Sequence, residues 1–267
     1  MKFTKMHGCG NDYVYIDCRN GLPENIGDLA IRLSDRHKVI GGDGIILICG
    51  SEKADFMMRI FNADGSEGKM CGNGIRCVAK YVFDKGLTGK RHLEIDTLSG
   101  IKIIDIAPDA QPGDPETWIT VDMGKPEIET LEETIKLSDG STLTGSIISM
   151  GNPHYVCYSE QDPTDAMVLG KGPLAERHER FPERSNIEFA KVTGKNEVGM
   201  RGWERGSGET MACGTGACAT AVAAIGKGLT ENDVTVHLRG GDLIISLDER
   251  GHVLMTGPAT TVFEGSI

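Results

Sequence analysis

Two cysteines occupy settings in which a thiol can act as an acid or a base. Cys71 lies in NADGSEGKMCGNGIRCVAK, residues 62–80, and Cys213 in ERGSGETMACGTGACATAVA, residues 204–223. Each follows a polar, glycine-rich approach, opens a C-G-x-G turn and runs into an apolar segment of helical period. A thiol at a helix start sits among unpaired backbone N–H groups at the positive end of the helix dipole. That setting is expected to lower its pKa and to bind an anion. Two opposed thiols could form a redox pair. They could also invert a carbon, one removing a proton from one face while the other returns a proton to the opposite face. If that carbon bears a carboxylate, the helix N–H groups can stabilise the charge that develops on it.

The elements that must hold these thiols occur twice. Cys213 follows Cys71 by 142 positions, and the tetrapeptide KGLT recurs at 85–88 and 227–230 with the same separation. Glu67 and Glu209 each precede their cysteine by four residues, Gly10-Asn11 recurs as Gly151-Asn152, and Leu29-Ala30 as Leu174-Ala175. Five matches in one order indicate a duplicated domain. Each half reads as mostly antiparallel strands with one long helix, apolar nearly all round and therefore buried by a sheet wrapped about it. Strands are expected at KFTKM, YVYID, GIILI, DFMMRIFN, LEIDT and IKIIDI, then at TWITVDM, TGSIISM, the stretch after MGNP, SNIEFAKV, EVGMRGWE and a closing meander. Shorter helices are expected over 28–37 and 173–180, and the two cysteine helices should stop at Gly86 and Gly228. The proline-rich stretch APDAQPGDPE, residues 107–116, is the strongest boundary signal. It gives domains of 1–112 and 113–258, with residues 259–267 packing back on the first. The fold class is α+β, with one active site expected between two pseudo-symmetric halves.

A chain of 267 residues with a net charge of −11 and a pI near 5.1 is a poor partner for nucleic acid or an anionic membrane surface. No apolar run approaches the roughly 20 residues that span a bilayer, and the N-terminal stretch lacks a signal-peptide core, so a cytoplasmic protein is expected. Eight cysteines without an export signal are expected to be reduced thiols. The closer pairs, Cys71 with Cys77 and Cys213 with Cys218, lack the C-x-x-C spacing of zinc sites, so no metal is expected.

The motifs MHGCGNDYVYID, FNADGSEGKMCGNGIRC, SMGNPHYV, SNIEF and ERGSGETMACGTGACA, in this order, resemble those of the diaminopimelate epimerase family. The resemblance implies a β-barrel-like sheet around a central helix in each half. It also implies a pyridoxal-independent epimerase of LL- and meso-diaminopimelate in lysine and peptidoglycan biosynthesis, with no cofactor, working as a homodimer. On its motifs Cys71 and Cys213 become the acid–base pair, and Gly72-Asn73 and Gly214-Thr215 bind the reacting carboxylate through backbone N–H groups. Asn11, Asn62, Asn152, Asn186 and Arg205 hold the distal amino and carboxylate groups. His154 and Glu204 are paired beside the cysteines, with a role in cysteine protonation and ammonium binding; their counterparts in the first half are Tyr13 and Asn62. Two residues depart from the pattern: Gly44 stands where some members carry a glutamine that orders a loop, and Cys9 where an aliphatic residue is common.

The nearest alternative keeps the fold and changes the substrate, to a cysteine-pair proline or hydroxyproline racemase. Arg205 and the asparagine set favour a substrate with two charged ends. A thiol-redox or metal-binding protein is the alternative from another class, and it gives those residues and the glycine turns no task.

Overall fold

The computed structural model describes residues 1–267. The chain forms two compact units, Met1–Asp122 with Thr256–Ile267, and Met123–Met255.

In the first unit β1 (Lys2–Gly8) and β2 (Asn11–Asp17) form a hairpin, followed by α1 (Ile26–Ser34), β3 (Gly44–Cys49), β4 (Phe56–Asn62) and the two-residue β5 (Glu67–Gly68). Helix α2 (Gly72–Asp84) comes next, then β6 (His92–Asp96), β7 (Lys102–Ile106) and β8 (Glu116–Asp122). The last strand of the chain, β17 (Val253–Ser266), pairs with both β1 and β8. Pairing therefore closes on itself through β1, β2, β3, β4, β6, β7, β8 and β17, an eight-stranded barrel. Two of these pairings, β2 with β3 and β4 with β6, are parallel. Closure leaves no unpaired edge, and α2 packs against β1, β2, β7 and β8 inside it.

The second unit repeats the plan. It contains β9 (Glu127–Lys136), β10 (Thr142–Ser149), β11 (Pro153–Tyr158), a π-helical turn (Ala166–Lys171) leading into α3 (Gly172–Glu176), β12 (Asn186–Gly194) and β13 (Glu197–Glu204). The two-residue β14 (Gly208–Glu209), α4 (Gly214–Gly226), β15 (Val234–Leu238) and β16 (Gly241–Leu247) complete it. Strands β11 and β12 are parallel, as are β13 and β15, matching the parallel pairs of the first unit. Helix α4 touches β10, β11, β12, β13, β15 and β16.

Strand alternation decides what faces each central helix. On β2 and β3, Val14, Ile16, Ile45 and Leu47 pack with Leu29, Ala30 and Leu33 of α1. Tyr15, one residue out of phase, turns the other way and donates from its hydroxyl to Gly74 O on α2 at 3.3 Å. On β11 and β12, Tyr155, Cys157, Ile187 and Phe189 pack with Val168, Ala175 and Phe181. The intervening His154, Asn186 and Glu188 are buried among the residues facing α4.

Four sequence expectations change. Helix α2 is not apolar all round: Arg76 and Lys80, one turn apart, are fully buried. Each is satisfied, Lys80 by Asp84 at 2.7 Å and Thr117 Oγ1 at 3.2 Å, and Arg76 by Asn73, Gly72 O and Pro258 O. Strand β9 carries too much glutamate and threonine to show a buried face; only Ile135 along it is fully buried. The helix expected over 173–180 ends at Glu176 and is preceded by the π-helical turn. The proline-rich stretch is the connection from β7 to β8, inside the first unit. Helices α2 and α4 end as expected, with Gly86 (φ 62°) and Gly228 (φ 68°) in the left-handed region.

Candidate active site

Cys71 is the N-cap of α2 and Cys213 the N-cap of α4, both with extended backbone (φ −138°, ψ 117°; φ −105°, ψ 108°). In each the sulfur accepts from the N–H three residues on, Gly74 or Gly216, at 3.3 Å. Extended backbone at the cap turns the side chain over the first helical turn, where N–H groups lack partners. Of the eight cysteines, all free, only these two are partly exposed. The glycines that donate to the sulfurs sit in close quarters. A Cβ on Gly74 would stand 2.6 Å from Ile46 Cδ1, and one on Gly216 would stand 2.7 Å from Glu188 Oε1.

In the first unit the Cys71 thiol donates to Asn11 Oδ1 at 3.3 Å, and Asn11 Nδ2 donates to Asp43 Oδ2 at 2.7 Å. Tyr13, from β2, also reaches this thiol and Asn11 with its hydroxyl. Asn62, at the end of β4, donates to Ser66 Oγ at 3.0 Å. Asn73 is buried and its side-chain oxygen accepts from Arg76 Nη2 at 3.0 Å, so the side chain is engaged within its own helix. Gly44 follows from packing. A side chain there would place Cβ 2.1 Å from Phe61 O and 3.0 Å from the Tyr13 ring, so this backbone leaves no room for a glutamine. Cys9 is buried in the left-handed region (φ 52°), with Arg76 Nη2 3.8 Å from its sulfur.

In the second unit Cys213 Sγ lies 3.5 Å from Thr215 Oγ1, which accepts from Asn152 Nδ2 at 3.3 Å. Asn152 Oδ1 faces His154 Nε2 at 3.2 Å, and His154 Nδ1 meets Glu188 Oε1 at 2.7 Å. The carboxylate paired with His154 is therefore Glu188, buried like the histidine, while Glu204 accepts from the Thr210 hydroxyl. The resemblance places His154 and Glu204 together beside the cysteines; parallel pairing of β11 with β12 puts Val156 beside Glu188 and sets that further carboxylate against the His154 ring. Asn186 donates to Pro153 O at 2.9 Å and accepts from the Arg205 backbone N–H at 2.9 Å, so it shapes the turn that carries Arg205. The Arg205 side chain is exposed, with Nη1 3.2 Å from Glu183 O. None of Asn11, Asn62, Asn152 or Asn186 has a positive φ; Gly10 (80°) and Gly151 (88°) make the turns and leave the asparagine side chains to bond.

The thiol pKa expectation is reversed. Burial pushes the Cys71 thiol up, against the N–H groups of Gly74 and Asn73, the charge of Arg76 and the Tyr13 hydroxyl, which pull it down. Cys213 is likewise pushed up, by burial first and then by the charges of Glu204 and Glu188, against Thr215 and Gly216 N. Desolvation of a small anion outweighs a few N–H dipoles. Both thiols therefore hold their protons near neutral pH.

Tyr13, Asp43, Arg76 and Glu188 were not singled out as site residues from sequence. Tyr13 was within reach as the counterpart of His154. Arg76 and Glu188 lie within the motifs and Asp43 next to Gly44, and no pattern marks any of them, since their contacts come from strand pairing and helix burial.

A model of the diaminopimelate epimerase family matches residues 3–129 and 146–262. Among curated relatives, the diaminopimelate epimerases of Acetivibrio thermocellus and Bacteroides thetaiotaomicron are 48% and 50% identical, each aligned over 100% of this chain and 98% of its own length. That of Methanococcus maripaludis is 48% identical over 100% of this chain and 99% of its own. Among solved structures, a phenazine biosynthesis protein of the PhzF family from Bacillus anthracis superposes with a TM-score of 0.73 at 16% identity, covering 100% of this chain and 98% of that one. A hydroxyproline epimerase from Agrobacterium vitis, with trans-4-hydroxy-L-proline bound, gives 0.72 at 16% identity, covering 99% and 91%. At such identity these two structures speak for the fold alone.

Proposed function

The chain belongs to the diaminopimelate epimerase family, and from that premise we propose that it interconverts LL- and meso-2,6-diaminopimelate with Cys71 and Cys213 as its two proton carriers. The observation that carries this reading is the pair of equivalent, partly exposed thiols, each bonded to the first turn of a central helix. One thiolate takes the α-proton as the C–H bond breaks. The other thiol gives its proton to the opposite face as the new C–H bond forms, and the pair ends with its protonation exchanged. No cofactor takes part. The backbone N–H groups at Gly72-Asn73 and Gly214-Thr215 receive the charge that develops on the adjacent carboxylate.

Arg205 binds the distal carboxylate. Its guanidinium fork is exposed and holds a single carbonyl contact, so a carboxylate can take two parallel N–H bonds. Asn11, Asn62, Asn152 and Glu204 supply the remaining polar contacts to the substrate's ends, with Asn186 fixing the turn at Arg205. His154 serves the Cys213 side. The hydroxyproline epimerase likeness leaves a racemase of a cyclic amino acid as the weaker reading, since Arg205 would then have no distal carboxylate to bind. We place the activity in the cytoplasm, in a homodimer. Sedimentation giving only a 28.7 kDa species would refute the dimer.

The deciding experiment is proton NMR in D2O with LL-diaminopimelate and the protein alone. Deuterium should enter at the α-carbon as meso product forms, with no pyridoxal or metal added. Absence of exchange, or faster exchange on proline or hydroxyproline, would overturn the assignment.

A further inference from the structure

Asn11 and Asn152 are equivalent in the duplication, yet their amides are held opposite ways round. Asn11 Nδ2 donates to Asp43 Oδ2 at 2.7 Å, and a carboxylate only accepts, so the amide oxygen is left facing Cys71 Sγ at 3.3 Å. Asn152 turns its oxygen to His154 Nε2 and its NH2 to Thr215 Oγ1, the hydroxyl beside Cys213. One thiol thus meets an amide acceptor, while the other meets a hydroxyl that already accepts a hydrogen bond and can donate its own.

Asp43 is held firmly enough to impose this. Its Oδ2 also accepts from Asp12 N at 3.0 Å and its Oδ1 from Arg36 Nη2 at 2.9 Å. Its backbone N–H donates to Asp12 O at 2.7 Å, and its carbonyl accepts from Ala63 N at 3.0 Å. The position 142 residues later is Ser185, buried and donating to Asn186 O, so the second unit has no carboxylate at that place.

We propose that Asp43 is a positioning residue for Cys71: by taking the Asn11 NH2, it fixes the Asn11 oxygen on the sulfur and keeps the proton on Cys71 in the resting protein. An acceptor oxygen stabilises S–H and repels S⁻. Reversing the amide would offer the sulfur a donor and favour the thiolate. Tyr13 from β2, Arg76 from α2, and Arg36 with Asp12 behind Asp43 also face these surroundings, and the substitutions below leave all of them in place.

The inference rests on Cys71 being one of the acid–base pair, but its test needs no turnover. Alkylation of Cys71 by iodoacetamide is followed against pH, site by site, by peptide mass spectrometry. Asp43→Asn frees the Asn11 amide to turn, so the Cys71 midpoint should move to lower pH and its rate at neutral pH rise roughly tenfold, with Cys213 unchanged. Asn11→Leu removes the acceptor and should move the midpoint the same way. Adding Asp43→Asn to Asn11→Leu should then change nothing more, whereas a direct charge effect of Asp43 would persist. An unmoved midpoint in Asp43→Asn, or an equal further shift in the Asn11→Leu background, overturns the proposal. Should Asp43→Asn fail to fold, an unmoved midpoint in Asn11→Leu alone overturns it. Failure of the deuterium exchange experiment would remove the epimerase reading without altering these midpoints, so the two failures are distinguishable.

Discussion

Cys71→Ala and Cys213→Ala each remove one of the two proposed proton carriers, and either should abolish epimerisation while circular dichroism and melting stay near the parent. Retention of more than a small fraction of turnover in either variant would end the two-base reading. Both thiols are pushed up by burial, so the reactive thiolate is scarce at low pH. Hence kcat/KM for the unsubstituted protein should rise as pH increases through neutrality; a profile falling over that range would contradict thiolate as the base. Arg205 touches the end of the substrate that does not react, yet its loss should slow turnover as well as weaken binding, because remote contacts position the α-carbon. Removing one side of a charge-assisted pair costs about 2 to 5 kcal/mol, and about 1.4 kcal/mol is tenfold. Arg205→Met should therefore lower kcat/KM for LL-diaminopimelate by on the order of 10²-fold or more, and near-normal kinetics would move the distal carboxylate elsewhere.

Among the elements, β1, β2 and the segment after α1 are braced by one carboxylate. Asp12 on β2 meets Lys5 on β1 at 2.6 Å and Arg36 at 2.6 Å. Burial alone would raise the Asp12 pKa, but the hydrogen bonds and charges of Arg36 and Lys5 prevail and hold it below the ordinary aspartate range. A depressed folded-state pKa contributes stability that is fully present above the unfolded value and lost as pH falls through the folded one. Asp12→Asn should therefore lower the melting temperature at pH 7, and the gap from the parent should close on acidification below the ordinary aspartate range. A gap independent of pH would show that packing, not charge, sets the contribution of Asp12.

Over the whole molecule, the barrel of the first unit depends on the end of the chain. Strand β17 pairs with β1 over Lys2–His7, against Thr260–Ser266, and also borders β8. Deleting residues 256–267 leaves β1 and β8 as open edges, exposes the interior around α2 and removes the Pro258 carbonyl that accepts from the buried Arg76. The truncated protein should lose the cooperative unfolding of the first unit in calorimetry, and the exposed edges should promote aggregation. An unchanged melting profile would mean that the barrel closes without its last strand.

The duplication, the two cysteine helices and their glycine stops were legible in the sequence, because each depends on spacing or on local backbone demands. The C-G-x-G turns, Gly86 and Gly228 announce themselves, and 142-residue periodicity needs no coordinates. Strand β9 was not legible, since ten residues with one fully buried side chain carry almost no hydrophobic period. Neither were the buried Arg76 and Lys80, whose partners Asn73, Pro258, Asp84 and Thr117 include residues that only barrel closure brings near. The sequence alone determined the positions of the thiols and the type of helix start that holds them. Tertiary structure decided how firmly they hold their protons, because burial, the Asp43–Asn11 bond and the Glu188–His154 pair all arise from which strands lie side by side.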